Sequence, residues 1–398
     1  MYYLILVMYY LALFFEMEVV FVKWVTMWGN AQSKVMPAPQ TYAKDLTLRY
    51  PMLVPFSGSK IRITLDNFCV NESVKIDYVC VGIGNSLSDE VGAVKYLTFN
   101  GNTSVVINAF DNVTSDELEF KVNDGEFLVV SLYCYDYVNL TGGVDVIGPL
   151  SKGYFAYGNQ IERKKLDINT SKSTSWVYFL SNVDVYTEDS NEAIICYGDS
   201  ITSQNWPDEL LLALRDENIK NISVVRKAVS GTRILRQYNC ITYQSYGLCG
   251  KNRFIHEVSS VSGAKKIIVQ QGINDIIHPV GEDVNIFRPM SDLPKASDLI
   301  EGMKYYECEA KRLGLDFYVG TLLPIYGWRT YENFREKLKN DFNYELKQLF
   351  KTIDFASVVG DNINGVWHFK ENCDSKDHLH PSKYAYRLMG VLAMKKII

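Results

Sequence analysis

Two rhythms of apolar and polar residues divide the chain. Between about Val22 and Val185 the pattern is one of short runs with period-two alternation, seen in Lys60-Ile61-Arg62-Ile63-Thr64-Leu65 and in Ser73-Val74-Lys75-Ile76-Asp77-Tyr78. Alternation of this kind places every second side chain on one face, the mark of a half-buried strand. Further strands are predicted at Ser104 to Ile107, Leu118 to Val122, Glu126 to Tyr135 and Ser175 to Leu180, with turns at Asn100-Gly101-Asn102 and Asn123-Asp124-Gly125. So many short strands predict an all-β sandwich, jelly-roll-like, for this half.

The rhythm changes after the polar cluster Thr187-Glu188-Asp189-Ser190-Asn191, the best candidate for a domain boundary. A buried strand is expected at Ala193 to Tyr197, a helix opening at Trp206-Pro207, and strands at Ser223 to Val225, Lys266 to Gln270 and Asp316 to Leu322. Helices are expected at Ser297 to Leu313, Tyr331 to Phe350 and Ser382 to Lys395. Alternating strands and helices predict an α/β fold, a parallel sheet with helices on both faces, because parallel neighbours need crossover connections. The expected organisation is therefore a hydrophobic extension at 1–22, a β-sandwich at 23–187 and an α/β catalytic domain at 191–398.

Composition fits two folded domains. The 398 residues are 47% hydrophobic and 22% charged with a formal net charge of -5, near the globular average, and no Lys/Arg stripe offers a track for nucleic acid. Eight cysteines are scattered without C-x-x-C spacing, which reads as mostly buried free thiols, with Cys240 and Cys249 the one pair placed to bridge a loop in an exported protein. The sequons at Asn71, Asn102 and Asn139 carry no weight by themselves. Met1 to Phe15 is uncharged, but the run is shorter than the ~17–25 residues of a spanning helix and has no basic start or small-residue cleavage site. It reads as a signal, an anchor or an extended start ahead of Met17 or Met27, leaving membrane attachment open and a cytoplasmic location slightly favoured. Oligomeric state is not readable.

Chemistry gathers at the predicted strand ends, where open parallel sheets place their active sites. Gly198-Asp199-Ser200-Ile201-Thr202 puts a serine at a strand-to-helix turn, suited to a nucleophile, although Ser200 or Thr202 as a plain helix cap explains it equally. Ala228-Val229-Ser230-Gly231-Thr232 ends the second strand with a glycine that can bring an N–H close to a ligand, or simply turn the chain. Gly272-Ile273-Asn274-Asp275 supplies an amide, a neutral donor toward an oxyanion, or an ordinary turn pair. In Asp377-His378-Leu379-His380-Pro381-Ser382 a carboxylate three residues before an imidazole can hold its Nδ1 proton, while His380 as a helix-entry residue is the bland alternative. Of the other histidines, His256 in the amphipathic stretch Arg253 to Val261 reads as structural. A metal site from His378 and His380 with Asp374, Asp377 or His368 is a separate alternative.

In this order the four segments resemble the four blocks of the SGNH (GDSL-type) hydrolase family, a likeness that covers Ala193 to the C-terminus. The resemblance implies a three-layer α/β/α, flavodoxin-like domain, with Ser200 as nucleophile, His380 as base, Asp377 as the acid that orients it, and an oxyanion hole from the N–H groups of Ser200 and Gly231 plus the Asn274 amide. It implies no cofactor and no metal. Two departures stand out: Arg226-Lys227-Ala228 replaces the usual Asn and Gly of the second block, and Ser203-Gln204-Asn205-Trp206-Pro207 follows where a glycine is common. The β-rich half is similar, at the level of pattern, to the sandwich preceding the catalytic domain in some carbohydrate esterases of the family, with Lys23-Trp24-Val25-Thr26-Met27-Trp28-Gly29 as its opening strand.

The expected function is hydrolysis of short-chain acyl esters, with acetylated carbohydrate as one substrate class, through an acyl-enzyme. Acyl transfer or thioester hydrolysis on the same residues is the enzymatic alternative, and a glycan-binding protein on an inactive hydrolase scaffold the non-enzymatic one. Trp206, Tyr326, Trp328 and Trp367 are the aromatic candidates for stacking on a sugar or lining an acyl slot.

Overall fold

The computed structural model describes residues 21–34, 42–140 and 142–398. The expected extension at 1–22 falls almost wholly outside them; among the described residues no helix is long and apolar enough to cross a membrane.

The first half consists of antiparallel strands. One sheet runs Val22–Gly29, Leu180–Glu188, Gly58–Asp66, Leu118–Val122, with Asn112–Thr114 also on Gly58–Asp66; a second runs Ser171–Thr174, Gly153–Tyr157, Leu46–Leu53, Phe127–Cys134, Tyr78–Gly84, Val94–Tyr96. The alternation noted above has its cause here, since Ile61, Ile63 and Leu65 of one sheet and Leu128, Val130 and Leu132 of the other are fully buried in one continuous core. Leu46–Leu53 is a strand that sequence pattern does not announce, because Arg49 and Pro51 interrupt it. Arg49 is nonetheless buried, donating to Ser131 Oγ at 3.1 Å and to the carbonyls of Asp89 at 2.6 Å and Gln160 at 2.9 Å. Pro51 is tolerated because Gly153–Tyr157 pairs only with Leu46 to Arg49, so no neighbour on that side asks for the missing N–H.

From Glu192 onward five parallel strands lie in the order Ile222–Ala228, Glu192–Gly198, Ala264–Gln270, Asp316–Gly320, Thr352–Ile353. In sequence numbering of this sheet that is 2-1-3-4-5, the flavodoxin-like order, whose switch point lies beside the first strand. Helices Trp206–Asp216 and Lys383–Ile397 pack on one another, while Gly250–Ser259, Ala296–Arg312 and Asn333–Leu349 form a second group. The helices sit within one or two residues of the expected spans, but Phe355–Val359 and the hairpin Gly360–Ile363/Val366–Phe369 are additions, too short to show periodicity. The register is what matters for chemistry: Gly198 stands opposite Ala228 on one side and Gln270 on the other, so the three motif loops leave the sheet side by side at its carboxyl edge.

The two halves share a joint. Thr26 in the opening strand accepts from Ser223 Oγ at its carbonyl, 2.6 Å, and the buried Lys227 ammonium donates to the carbonyl of Asn30 at 2.8 Å, to Ser181 Oγ at 3.1 Å and to Asn182 Oδ1 at 2.8 Å. Arg226 pairs with Asp208 at 2.6 Å and donates to Ser151 Oγ at 2.9 Å. The departure at Arg226-Lys227 thus lies where the parallel sheet is bonded to the sandwich. His256, expected to be structural, joins the halves too, stacked on Phe68 at 3.8 Å and donating Nε2–H to Asp66 Oδ2 at 2.8 Å.

Candidate active site

Ser200 opens the short helix Ser200–Ser203, and the cap is Asp199, whose Oδ1 accepts the Ile201 N–H at 3.0 Å. The hydroxyl of Ser200 is therefore released from capping duty and lies 2.9 Å from His380 Nε2. Asp377 Oδ2 lies 2.6 Å from His380 Nδ1, while its Oδ1 accepts the backbone N–H groups of His380 at 2.8 Å and Leu379 at 3.0 Å. With Nδ1–H donated to the carboxylate, Nε2 is left as the acceptor facing the serine. Burial works against the charge on Asp377, but these hydrogen bonds outweigh it and hold the carboxyl down at about 2. The loop carrying the pair is closed on itself: Ser375 N–H donates to the carbonyl of His380 at 3.0 Å and Ser382 N–H to that of Cys373 at 2.8 Å.

Gly231 takes φ +78, and a Cβ there would come within 2.1 Å of the Tyr246 ring, so both backbone conformation and space demand glycine. Asn274 is buried on the helix Ile273–Ile277 and donates one amide hydrogen to the carbonyl of Thr232 at 3.1 Å, leaving the other free to be offered elsewhere. The glycine and asparagine loops are fastened together by Asp275, which accepts the N–H of Ile234 at 2.7 Å and of Leu235 at 3.1 Å. Burial raises the Asp275 carboxyl to about 6 in spite of these bonds, and raises Asp199 to about 7.

Ser200, Gly231, Asn274 and His380 line one cavity of about 220 Å³, together with Ser230, Tyr246, Ile277, His278, Arg288, Trp328, Arg329, Thr330 and Leu379. A space of this size is below the ~300–1,000 Å³ of drug-sized ligand sites and suits a small acyl or alcohol group.

Several lining residues escape sequence reasoning, His278 and Arg288 foremost. For His278 a signal exists: it lies four residues after Asn274, and i, i+4 positions of a helix share a face. Its segment is clamped by Arg335, which donates to the carbonyls of Ile276 and Pro279, and by Thr330 Oγ1, which donates to Ile277 at 3.2 Å. Burial, and then the charges of Arg288, Arg233 and Arg329, push the His278 imidazole well below its ordinary value, so it stays neutral.

Of the four aromatic candidates Trp328 alone lines the cavity. Trp206 is fully buried against Phe355 at 5.4 Å, and so cannot stack on a substrate; it fills the core where the chain departs from a glycine. Tyr326 lies against His368 at 4.1 Å, and Trp367 belongs to the hairpin Gly360–Ile363/Val366–Phe369. His378 and His380 do not converge, since His378 Nδ1 pairs with Asp374 at 2.6 Å while His380 pairs with Asp377. Among the described residues no three His, Cys, Asp or Glu side chains gather to hold a metal ion. All eight cysteines are free, including Cys240 and Cys249, and six are buried.

A parallel sheet in this order, with an acid, an imidazole and a serine in hydrogen-bond sequence at its carboxyl edge, defines a class of hydrolase fold. Residues 181–392, just over half of the chain, match the GDSL-like lipase/acylhydrolase family, and the chain belongs to that family, as a carboxylic-ester hydrolase. No curated protein matches it. Similar solved structures include a GDSL-like lipase from Bacteroides thetaiotaomicron VPI-5482, 15% identical with a TM-score of 0.37 over 52% of this chain and 89% of that one. The acetylxylan esterase Axe2 from Geobacillus stearothermophilus is 15% identical with a TM-score of 0.39 over 52% and 94%. A putative acylhydrolase from Bacteroides fragilis NCTC 9343 is 16% identical with a TM-score of 0.36 over 51% and 85%.

Proposed function

We propose that the protein is a serine esterase acting on short-chain acyl esters, with Ser200 as nucleophile. The observation that carries this reading is the unbroken run from Asp377 through His380 to Ser200, at 2.6 and 2.9 Å, opening on a cavity that Gly231 and Asn274 also line.

Ser200 Oγ attacks the ester carbonyl as its proton passes to His380 Nε2, and the negative charge moves onto the carbonyl oxygen. The Ser200 and Gly231 N–H groups and the Asn274 amide receive that charge, a contribution made mainly in the transition state. Asp377, ionised throughout the working range, stabilises the imidazolium. The proton then goes from His380 to the departing alkoxide, leaving acyl-Ser200, and water repeats the sequence to release the acid and restore the serine. The small cavity favours acetyl and similar groups, an acetylated carbohydrate among the candidate substrates.

Turnover of 4-nitrophenyl esters from acetate to octanoate tests the reading. We expect kcat/KM to be highest for acetate or butyrate and to fall for longer chains. A maximum at octanoate, or no hydrolysis of any of them, would refute it.

A further inference from the structure

The chemical lining of the cavity is one-sided. Two guanidinium groups, Arg288 and Arg329, line it, and no aspartate or glutamate does. Neutralisation is visible next door but not here: Arg233, the third cation bearing on His278, is paired with Asp292 at 3.0 Å, whereas among the described residues neither Arg288 nor Arg329 has a carboxylate partner. Arg288 is held in place from outside the cavity, its guanidinium 4.3 Å from the centre of the Tyr243 ring, and Arg329 lies 4.7 Å from that of Trp328. Both are thus pre-organised against aromatic faces.

The same wall also has unused hydrogen-bonding groups. Arg288 Nε and Trp328 Nε1 are buried without a partner, as is Nδ1 of His278, a residue only 6% exposed. Two of these, Arg288 Nε and Trp328 Nε1, can only donate, and buried donors with no acceptor are costly, so their presence on two residues that line one cavity points to a ligand group that would meet them. Positive charge with unused N–H donors, and no acid in the lining, calls for an anion with planar acceptor geometry.

We propose that the enzyme selects esters that carry a carboxylate, received by Arg288 and Arg329. The inference rests on the esterase reading above and names its substrate class. The carboxylate can sit on the acyl or on the alcohol side of the ester; the shared chemistry is an anion within reach of both the arginines and Ser200.

Two matched pairs separate the cases. On the acyl side, mono-4-nitrophenyl adipate is compared with its neutral methyl ester; on the alcohol side, 4-acetoxybenzoate with methyl 4-acetoxybenzoate. The expected result is a kcat/KM ratio of anionic to neutral ester of ~10–100 in at least one pair, the worth of one charge-assisted contact. In the double variant Arg288→Gln/Arg329→Gln that ratio should fall toward one, and Arg288→Lys should recover part of it. A ratio at or below one in both pairs, or a preference untouched by the double variant, overturns the inference while leaving the esterase reading in place. Failure to hydrolyse any of the four esters overturns the esterase reading itself, and this inference with it.

Discussion

Asp275 accepts the backbone N–H of Ile234 at 2.7 Å, a bond from the asparagine loop to the chain just beyond the glycine loop. A second bond, to Leu235 at 3.1 Å, makes the link bidentate, so the two non-serine contributors to the proposed oxyanion hole are held as a unit. Asp275→Ala leaves two N–H groups without their acceptor in a buried setting. The expected loss is about 2–6 kcal/mol of stability, at ~1–3 kcal/mol for each orphaned group, together with a lower kcat. Urea unfolding checks the first, and an unchanged midpoint would show that the link is dispensable.

Asn274 should matter to rate rather than to binding. Its free amide hydrogen meets charge that exists only after attack, so Asn274→Ala is expected to lower kcat ~10²–10³-fold with little change in KM. Steady-state kinetics on 4-nitrophenyl acetate separates the two. A rise in KM alone would make the residue a substrate contact.

Burial of Asp199 makes a pH-dependent prediction. Its folded value of about 7 lies above the ~3.9 of an unfolded chain, so between these values the folded state holds a proton that the unfolded state releases. Stability from this group is therefore present at low pH, declines as pH rises from about 4 to about 7, and is flat above. Asp199→Asn keeps an oxygen for the Ile201 N–H and removes the titration. Relative to wild type, its urea midpoint should improve between pH 5 and pH 8; an equal difference at both would contradict the assignment.

The joint at Lys227 is predicted to be structural. Its ammonium is fully buried among acceptors from Asn30, Ser181 and Asn182. Removing the ammonium by Lys227→Met leaves those neutral acceptors unpaired, at an expected cost of about 1–3 kcal/mol, since loss of their donor is partly offset by no longer burying a charge. Differential scanning calorimetry reads the change, and a variant as stable as wild type would show that the sandwich is held by other contacts.

Legibility in the sequence followed physical periodicity. The strands that present Ser200, Gly231 and Asn274 each hold a short apolar stretch, Ala193 to Tyr197, Val224 to Val225 and Ile267 to Val269, followed within a few residues by a turn containing glycine, so their carboxyl ends can be read directly. Leu46–Leu53 is hidden because a buried arginine and a proline disguise a central strand, and the short hairpin Gly360–Ile363/Val366–Phe369 has too few residues to show a period. Trp206 misleads for the opposite reason: a large aromatic near a motif can as well fill the core as face a ligand. The cationic wall is invisible in one dimension. His278, Arg288, Trp328 and Arg329 arrive from two different loops and meet only in the fold, and whether an arginine is paired depends on those same tertiary contacts.

The most direct test of Ser200 as nucleophile is covalent capture. The protein is treated with EDTA, then with a fluorophosphonate, and the modified residue is located by peptide mass spectrometry alongside turnover of 4-nitrophenyl acetate. The expected result is activity that survives the chelator, stoichiometric labelling at Ser200 that stops turnover, and neither labelling nor turnover in a folded Ser200→Ala protein. Activity lost to chelator and restored by zinc, with Ser200 unlabelled, or Ser200→Ala turnover within about tenfold of wild type, would contradict the assignment.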